Sequence, residues 1–381
     1  MTTARGEHMI NRYASGLPAR GLAALLIVVA FLLLAWFGPG HAGVNTRNGN
    51  FYISYTDLIV DAPEFKVART YNSRSTEILS FGRGWGWPLD TVLRVNGDGT
   101  ITVVENGSGM QRLYVQPRPI TAELELVVED MLRAMEGAGW IMSAPQRAQT
   151  RQELLTNGET RRFVQNQLID EHLIARPEIP LGARLESRSE TNVVIVREPS
   201  GFYRARASGF DRFNLDGQLI ETRDRFGTGY KLRRNEKGHL REIILNGDIR
   251  LQVETDDMGL IAQIAFQDQV TRYEYDSRRN LIHSTNVENT VFEYQYDPRG
   301  RLTFVLYENG TMLENAYDPV TGYIVRQDMP NGEALEYEYF SETPLLPDVI
   351  EQYGTITQKY RSGTSDVPFS VESITYQIGI D

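Results

Sequence analysis

The stretch Tyr296–Leu302, with the sequence YDPRGRL, carries the clearest local signal for the fold. Aspartate at the first position, proline at the second and glycine at the fourth are typical of a type I turn. The residues before it, Val291–Tyr296 (VFEYQY), alternate aromatic with polar side chains, as a strand with one buried face does. The stretch therefore predicts a strand that ends in a tight turn.

The same unit recurs through the C-terminal half of the chain. Turn residues at 217, 238, 259, 280, 300 and 322 are separated by steps of 21, 21, 21, 20 and 22. Out of phase with them, Asn-Gly pairs begin at 246, 309 and 331 and are typical of hairpins. A period near 21 with two turns and two strands predicts a chain of antiparallel β-hairpins. Its aromatic face is expected to be buried and its acidic face exposed.

The N-terminal half divides into two further regions. Residues 43–116 contain the short strand pattern Thr100–Val104 between turn signals, which indicates a β domain. In residues 117–180, Leu124, Val128 and Met131 recur at helical spacing. This region is interpreted as a small helical insertion, with a second helix expected near 160–175.

Four segments of the β domain, in order, resemble the N-terminal domain of Rhs and YD-repeat proteins. They are Gly49–Tyr52 (GNFY), Tyr55–Leu58 (YTDL), Ala68–Arg74 (ARTYNSR) and Phe81–Trp87 (FGRGWGW). The repeats resemble the Tyr-Asp-x-x-Gly-Arg-Leu unit of the same family. The resemblance covers about 49–115 and 200–340.

This resemblance implies a structural role, because relatives such as Tc-toxin shell subunits and teneurins wind such repeats into a β-shell. The chain resembles a short Rhs/YD member without a toxin domain. The family-motif residues are Tyr71, Asn72, Ser73, Arg74, Gly84, Trp85, Tyr275, Asp276, Tyr296, Asp297, Gly300, Arg301, Leu302, Tyr317, Asp318 and Gly322.

The predicted fold class is mainly β: an antiparallel β-hairpin array forming a partial, open YD shell. A small helical insertion and an N-terminal hydrophobic helix complete it. The expected divisions are a signal peptide or membrane anchor at 1–42, the β domain at 43–116, the insertion at 117–180, the repeat array at 181–340 and a degenerate repeat with a C-terminal strand at 341–381.

The N-terminal segment indicates export. Residues 21–37 form an unbroken apolar run, arginines precede it, and Gly40-His41-Ala42 matches a signal-peptidase site. Cleavage before Gly43 and retention of 21–37 as an inner-membrane anchor both remain open. In either case the rest of the chain is expected in the periplasm, on the outer surface or secreted.

Composition excludes several classes of function. The net charge of −11 and the lack of a basic cluster argue against nucleic-acid binding. Cysteine is absent, and the five histidines have no metal-ligand spacing. No catalytic motif occurs, so we expect no enzyme activity, no catalytic residue, no cofactor and no metal. The aspartates of the Tyr-Asp units are interpreted as turn caps.

Two functional hypotheses remain. The first is a cell-envelope or secreted scaffold that binds another protein chain or a surface glycan. The second is a truncated or split component of an Rhs/Tc-type toxin-delivery shell that another chain completes. The C-terminal strand near 370–378 or the helical insertion is expected to dock the partner. Alternatively, the helices fold back and cover the open sheet.

Overall fold

The computed structural model describes residues 41–61, 64–105, 109–116, 124–342, 349–361 and 367–379. The predicted signal peptide or anchor lies outside these residues, apart from the end of the segment. No helix within them is long and apolar enough to cross a membrane. The chain divides into two compact units, Met1–His41 and Ala42–Asp381.

The N-terminal strands vary in length from two to twelve residues. They are β1 His41–Asn45, β2 Asn50–Asp61, β3 Glu64–Asn72, β4 Ile78–Leu79, β5 Gly82–Arg83, β6 Trp85–Gly86, β7 Val92–Val95, β8 Ile101–Glu105 and β9 Met110–Val115, with a 3-10 turn at Pro88–Asp90. Three helices follow: α1 Leu124–Gly137, α2 Ala144–Thr156 and α3 Gly158–Asp170.

The remaining strands form the repeats. They are β10 Arg184–Ser187, β11 Val194–Glu198, β12 Gly201–Arg206, β13 Gly209–Phe213, β14 Leu219–Asp224, β15 Gly229–Arg234, β16 Leu240–Leu245, β17 Ile249–Thr255, β18 Ile261–Phe266, β19 Gln269–Tyr275, β20 Leu281–Thr285, β21 Val291–Tyr296, β22 Leu302–Tyr307, β23 Met312–Tyr317, β24 Ile324–Asp328, β25 Glu333–Glu342, β26 Val349–Arg361 and β27 Ser370–Gly379.

One long sheet contains 21 of these strands. It runs from β7 through β8 and β9 to β10 and then in chain order to β27, with every pair antiparallel. A single bridge, Val92–Gln218, joins its first strand back to the sheet just before β14. Because no ladder joins β7 to β27 in the described residues, the sheet is open. The predicted fold class, a mainly β and open antiparallel array, is confirmed.

The repeat unit has a shared local geometry. The ladder shifts register by one residue at the end of six strands, which places the last residue of each beside the following turn. The shifts occur at Phe213, Arg234, Thr255, Tyr275, Tyr296 and Tyr317.

The turns that follow contain a residue with positive φ. In five of them it is the predicted glycine, such as Gly300 with a φ of +78°. In the fourth turn it is Arg279, with a φ of +65°, and the prediction of residue 280 was wrong by one position. A non-glycine residue in this conformation leaves no sequence signal.

A four-stranded sheet, in the order β1-β2-β3-β6, packs on the apolar face of the repeats. Phe51 and Trp85 of this sheet share one buried cluster with Tyr273, Phe292 and Val305 of the repeats. The opposite face carries exposed glutamates, as the alternation predicted. The apolar face is therefore covered by the N-terminal sheet rather than by the helices.

The helices form a separate cluster around Val128, Met131 and Leu168. They contact the β7–β8 turn through polar side chains: Asn166 Nδ2 donates to Asn96 Oδ1 at 3.1 Å, and Arg162 is paired with Asp98. The sequence patterns did not predict α2, whose one buried residue is Leu154, so its apolar periodicity is weak.

Candidate functional site: the turn ladder and its strap

The turns of the repeats line up along one edge of the sheet, and we call this row the turn ladder. Its six turns begin at Asn214, Asn235, Asp256, Asp276, Asp297 and Asp318. In four of them, one side-chain oxygen accepts hydrogen bonds from the backbone N–H groups two and four residues later. These four residues are Asn235, Asp256, Asp276 and Asp297. The aspartate of the Tyr-Asp unit thus closes its own turn.

The tyrosine of the unit joins its turn to the preceding one. Each hydroxyl donates to a backbone carbonyl 14 or 15 residues earlier in the chain. The pairs are Tyr275 with Ile261, Tyr296 with Leu281 and Tyr317 with Leu302, and Tyr339, which lies within β25 and not before a turn, bonds to Ile324 in the same way, all at 2.7 to 2.8 Å. Burial raises the pKa of all four tyrosines, so each stays protonated and able to donate.

The arginine and glycine positions connect neighbouring turns. Arg301 Nε donates to Asp297 Oδ2 at 2.7 Å in its own turn, and its Nη1 donates to the Asp318 carbonyl of the next turn at 3.3 Å. At Gly300, a Cβ would lie 2.5 Å from Arg83 Cδ. Gly322 has a φ of +73° and lies beside Arg301. The ladder therefore needs glycine for conformation and for space.

Residues 46–93, which we call the strap, run along the turn ladder. Backbone atoms of the strap bond to the first, third, fourth and sixth turns or the strands that leave them. The N–H groups of Leu93 and Arg83 donate to Gly217 and Arg279, whereas Ser80 and Gly49 carbonyls accept from Ile261 and Ile324, all at 2.8 to 3.1 Å. The strap thus braces successive repeats against one another.

The motif residues Tyr71, Gly84 and Trp85 fix the strap at the fifth turn. Tyr71 Oη accepts the N–H of Leu302 at 2.8 Å, and Trp85 Nε1 donates to Tyr296 Oη at 2.8 Å. Gly84 has a φ of +74°, and a Cβ there would lie 2.7 Å from the Tyr71 ring. The two motifs predicted separately from the sequence therefore meet in space.

Asn72, Ser73 and Arg74 hold the start of the strap. Asn72 accepts from Asn50 at 3.1 Å, and the hydroxyl of Ser73 accepts the N–H of Phe51 at 2.9 Å. The Arg74 guanidinium lies 4.9 Å from the Tyr323 ring centroid, beside the sixth turn. These residues shape the strap where it meets the end of the ladder.

A buried ion pair that the sequence reasoning missed lies at the centre of this interface. Arg69 Nε donates to Asp57 Oδ2 at 2.7 Å, and both side chains are buried. Arg69 Nη2 also donates to Ser284 Oγ and Tyr294 Oη, and Tyr273 Oη donates to Asp57. We call these five residues the Arg69 cluster.

Arg69 keeps its charge despite burial. Burial by itself lowers the pKa of Arg69, but the charge of Asp57 and hydrogen bonding hold it well above its usual value. The rings of Trp85 and Tyr55 lie 4.6 and 4.8 Å from the guanidinium carbon. The available signal was an arginine between Val67 and Tyr71 on the buried face of a strand.

No group of three His, Cys, Asp or Glu side chains suited to a metal lies within the described residues. His283, on the exposed face, contacts Glu274 at 3.2 Å. The described side chains of the turn ladder and strap are hydrogen-bond donors and acceptors that join the N-terminal segment to the repeats.

These features define an open antiparallel β-repeat protein braced by an N-terminal strap. A family model described as "Domain of unknown function (DUF6531)" matches residues 41–114, the strap and the first strands of the long sheet. No curated protein matches the chain.

Similar solved structures come from toxin complexes. The structure of TcdB2-TccC3-Cdc42 is 16% identical over 52% of this chain and 11% of that chain, with a TM-score of 0.27. TcdB2-TccC3 is 12% identical over 87% and 14%, with a TM-score of 0.26. The Tc holotoxin pore of Photorhabdus luminescens is 13% identical over 88% and 14%, with a TM-score of 0.26. The chain spans about a seventh of the last two.

Proposed function

We propose that the protein is an exported, non-enzymatic scaffold of the Rhs/YD-repeat type that presents its sheet to another protein chain. One observation carries this proposal. The motif residues of both halves, such as Tyr71, Trp85 and Tyr296, are engaged in joining the strap to the repeats. The polar groups of these side chains form hydrogen bonds within the protein, and these bonds support a continuous surface.

The outer face of the long sheet is the face opposite its apolar, inner face. We assign the outer face of the second half of the array, residues 273–342, to the partner. Glu293, Glu314 and Glu338 are exposed there, and no lysine or arginine pairs with them in the described residues. Because like charges on one face repel, a partner with basic side chains is favoured.

Site-specific photo-cross-linking in the producing cells tests this role. A photoreactive residue at position 293 or 314 should give adducts that are heavier than the chain alone. Treatment with proteinase should remove these adducts. Position 250 is a matched control, because Arg250 is exposed on the outer face of the first half. Absence of protein adducts from 293 and 314, or equal yields from all three positions, would contradict docking at the acidic face.

Export is tested by sequencing the N-terminus of the protein from fractionated cells. A start at Gly43 supports cleavage; it leaves residues 43–45 of β1 and removes Ala42, which packs against the core cluster in the full chain. A full-length chain in the membrane supports the anchored form. A full-length chain confined to the cytoplasm would contradict export.

A second candidate is a component of a toxin-delivery shell that another chain completes. The observation that favours it is the open sheet of the described residues, whose outermost strand β27 pairs with β26. Co-expression with a neighbouring gene for further repeats or a toxin should then yield a stable complex. Separate elution of the two chains would reject this candidate.

A further inference from the structure

The turn ladder changes at its N-terminal end. In the later gaps between turns, a tyrosine precedes the turn and donates to the repeat before it, as Tyr275 does to Ile261. In the first gap the equivalent residue is Arg234, and in the second it is Thr255, both marked by the same register shift. The first gap therefore lacks the tyrosine bridge and contains a cation instead.

A groove of about 420 Å³ lies at this first gap. Ile220 and Leu232 contribute apolar surface, and Arg234, Asn235 and Lys237 contribute donors. Asp216 and Glu236 also line the groove, and both are exposed. Donors, carboxylates and aliphatic surface thus surround one cavity in the size range of small-ligand sites.

The hydrogen-bonding capacity of Arg234 is not filled. Its Nη1 donates to the Gly238 carbonyl at 3.2 Å, and its buried Nε has no partner within the described residues. Burial lowers the pKa of Arg234, and the charge that opposes this effect belongs to Asp90. A partly buried guanidinium with unused donors is stabilised by an anion.

Donors beside Arg234 are also available. Asn235 Oδ1 accepts two backbone N–H groups of its turn, which leaves its amide nitrogen for a ligand. The exposed Lys237 ammonium makes no ion pair in the described parts of the chain. The carboxylates of Asp216 and Glu236 accept hydroxyl hydrogens but repel a second anion.

We propose that this groove binds a sugar acid. Its carboxylate would be held by Arg234 and Lys237, and its hydroxyls would bond to Asn235, Asp216 and Glu236. The C–H face of the ring would lie on Ile220 and Leu232. The mixture of cations for one group and carboxylates for several hydroxyls fits an acidic sugar better than a simple anion or a neutral sugar.

Titration of the purified chain with glucuronate, followed by NMR, tests the proposal. Saturable shifts are expected with glucuronate, and weaker binding with glucose or acetate. Arg234→Tyr restores the residue found in the later gaps and should raise the Kd for glucuronate about tenfold or more, because the charged donor is lost. Thr255→Tyr fills the second gap and serves as the matched control, with unchanged binding.

Melting curves separate loss of binding from loss of folding. Arg234→Tyr should still fold, since tyrosine suits this position elsewhere in the ladder, although Asp90 loses the cation that faces it. If it does not fold, Lys237→Gln provides the second variant, with an expected rise in Kd of about threefold or more. No saturable binding by the wild type, equal affinity for glucose or acetate, or unchanged affinity in a folded Arg234→Tyr variant would each overturn the proposal.

Discussion

The two halves of the repeat array are held together by different interactions. Residues 181–272 contain fifteen basic and fourteen acidic residues, whereas 273–342 contain five and thirteen. In the first half, outer-face carboxylates are paired: Glu221 contacts Arg223 and Lys231, and Glu242 contacts Arg233 and Arg250. In the second half, cohesion comes from the inner face, through the tyrosines of the ladder and the strap.

This difference assigns separate tasks to the two faces of one sheet. In the second half, Asp328 and Glu336 pair with Arg326, but the strap and tyrosines bind the inner face and Glu293, Glu314 and Glu338 have no lysine or arginine partner in the described residues. These three glutamates are therefore free to meet a partner. Where tyrosines are missing from the ladder, ion pairs across the outer strands supply part of the cohesion, and the first gap is left as a groove.

The largest expected effect follows from breaking the Arg69 cluster. Arg69→Met leaves Asp57 buried without its cation and should lower the free energy of unfolding by about 3–5 kcal/mol. Urea unfolding measures the loss. The double variant Arg69→Met with Asp57→Leu removes both charges and should recover part of it. A single variant as stable as the wild type would show that the strap is not anchored there.

Removal of one ladder hydroxyl should have a smaller effect. Tyr296→Phe loses the bond to the Leu281 carbonyl and the acceptor for Trp85, at a cost of about 1–3 kcal/mol. Tyr203→Phe, on the outer side of the first half beside Arg212, is the matched control and should change stability by less than about 0.5 kcal/mol. Equal losses in both variants would contradict the proposed difference between the halves.

Replacement of a glycine in the turn ladder should lower the free energy of unfolding by an amount similar to the loss of one tyrosine hydroxyl. Gly300→Val forces positive φ on a β-branched residue and brings its Cβ against Arg83, so we expect a loss of about 1–3 kcal/mol. Thermal melts of this variant and of Gly310→Val, whose site has positive φ but open space, separate strain from crowding. If Gly310→Val lost as much as Gly300→Val, crowding by Arg83 would be excluded.

The spacing of the sequence was sufficient to predict the array. Each turn is closed locally, by side chains such as Asp297, and local interactions leave a regular signature in sequence. The ion pair of Arg69 with Asp57 was not predicted, because its partners Ser284 and Tyr294 lie more than 200 residues away. Such contacts depend on where the strap packs, and the sequence period contains no information on that.

The sequence motifs identified residues of the turn ladder and strap, but they did not predict which of these residues contact one another. Tyr71 and Tyr296 were identified by two unrelated motifs, and the structure brings both to the fifth turn. The fourth turn was displaced by one residue because Arg279, rather than a glycine, adopts positive φ there. The groove at Arg234 lies where the ladder has no tyrosine. The sequence shows this replacement, but its meaning is clear only after the structure shows what the later tyrosines do.

A pH dependence is expected where the strap meets the first half. Burial raises the pKa of Asp90 to about 6, against the effect of hydrogen bonds from Ser80 and Trp87. Folding therefore favours protonated Asp90. The stabilisation that this form gives to the fold is fully present below the unfolded pKa near 4 and is lost as pH rises through about 6. Asp90→Asn lacks this titration, and its stability relative to the wild type should increase between pH 4 and pH 7.

Melting temperatures across this range measure the effect, which is limited because Asp90 is only half-buried. At pH 7, we expect the free energy of unfolding of Asp90→Asn to exceed that of the wild type by at most about 2 kcal/mol. One unit of pKa corresponds to about 1.36 kcal/mol, and solvent screening lowers the total. Parallel curves for the wild type and Asp90→Asn would exclude a raised pKa at this position.

The smallest expected effect compares the two outer faces directly. Glu242→Gln removes a carboxylate that contacts Arg233 and Arg250, and should cost about 0.5–1 kcal/mol at low salt. Glu293→Gln removes an exposed carboxylate of the acidic half and should be neutral or slightly stabilising, because repulsion is relieved. Raising the salt concentration to about 1 M shortens the screening length to about 3 Å and should bring both values towards zero. Urea unfolding at low and high salt measures this difference. A loss in Glu293→Gln as large as that in Glu242→Gln would mean that carboxylates on both halves hold the sheet, and the acidic half would then no longer be free for a partner.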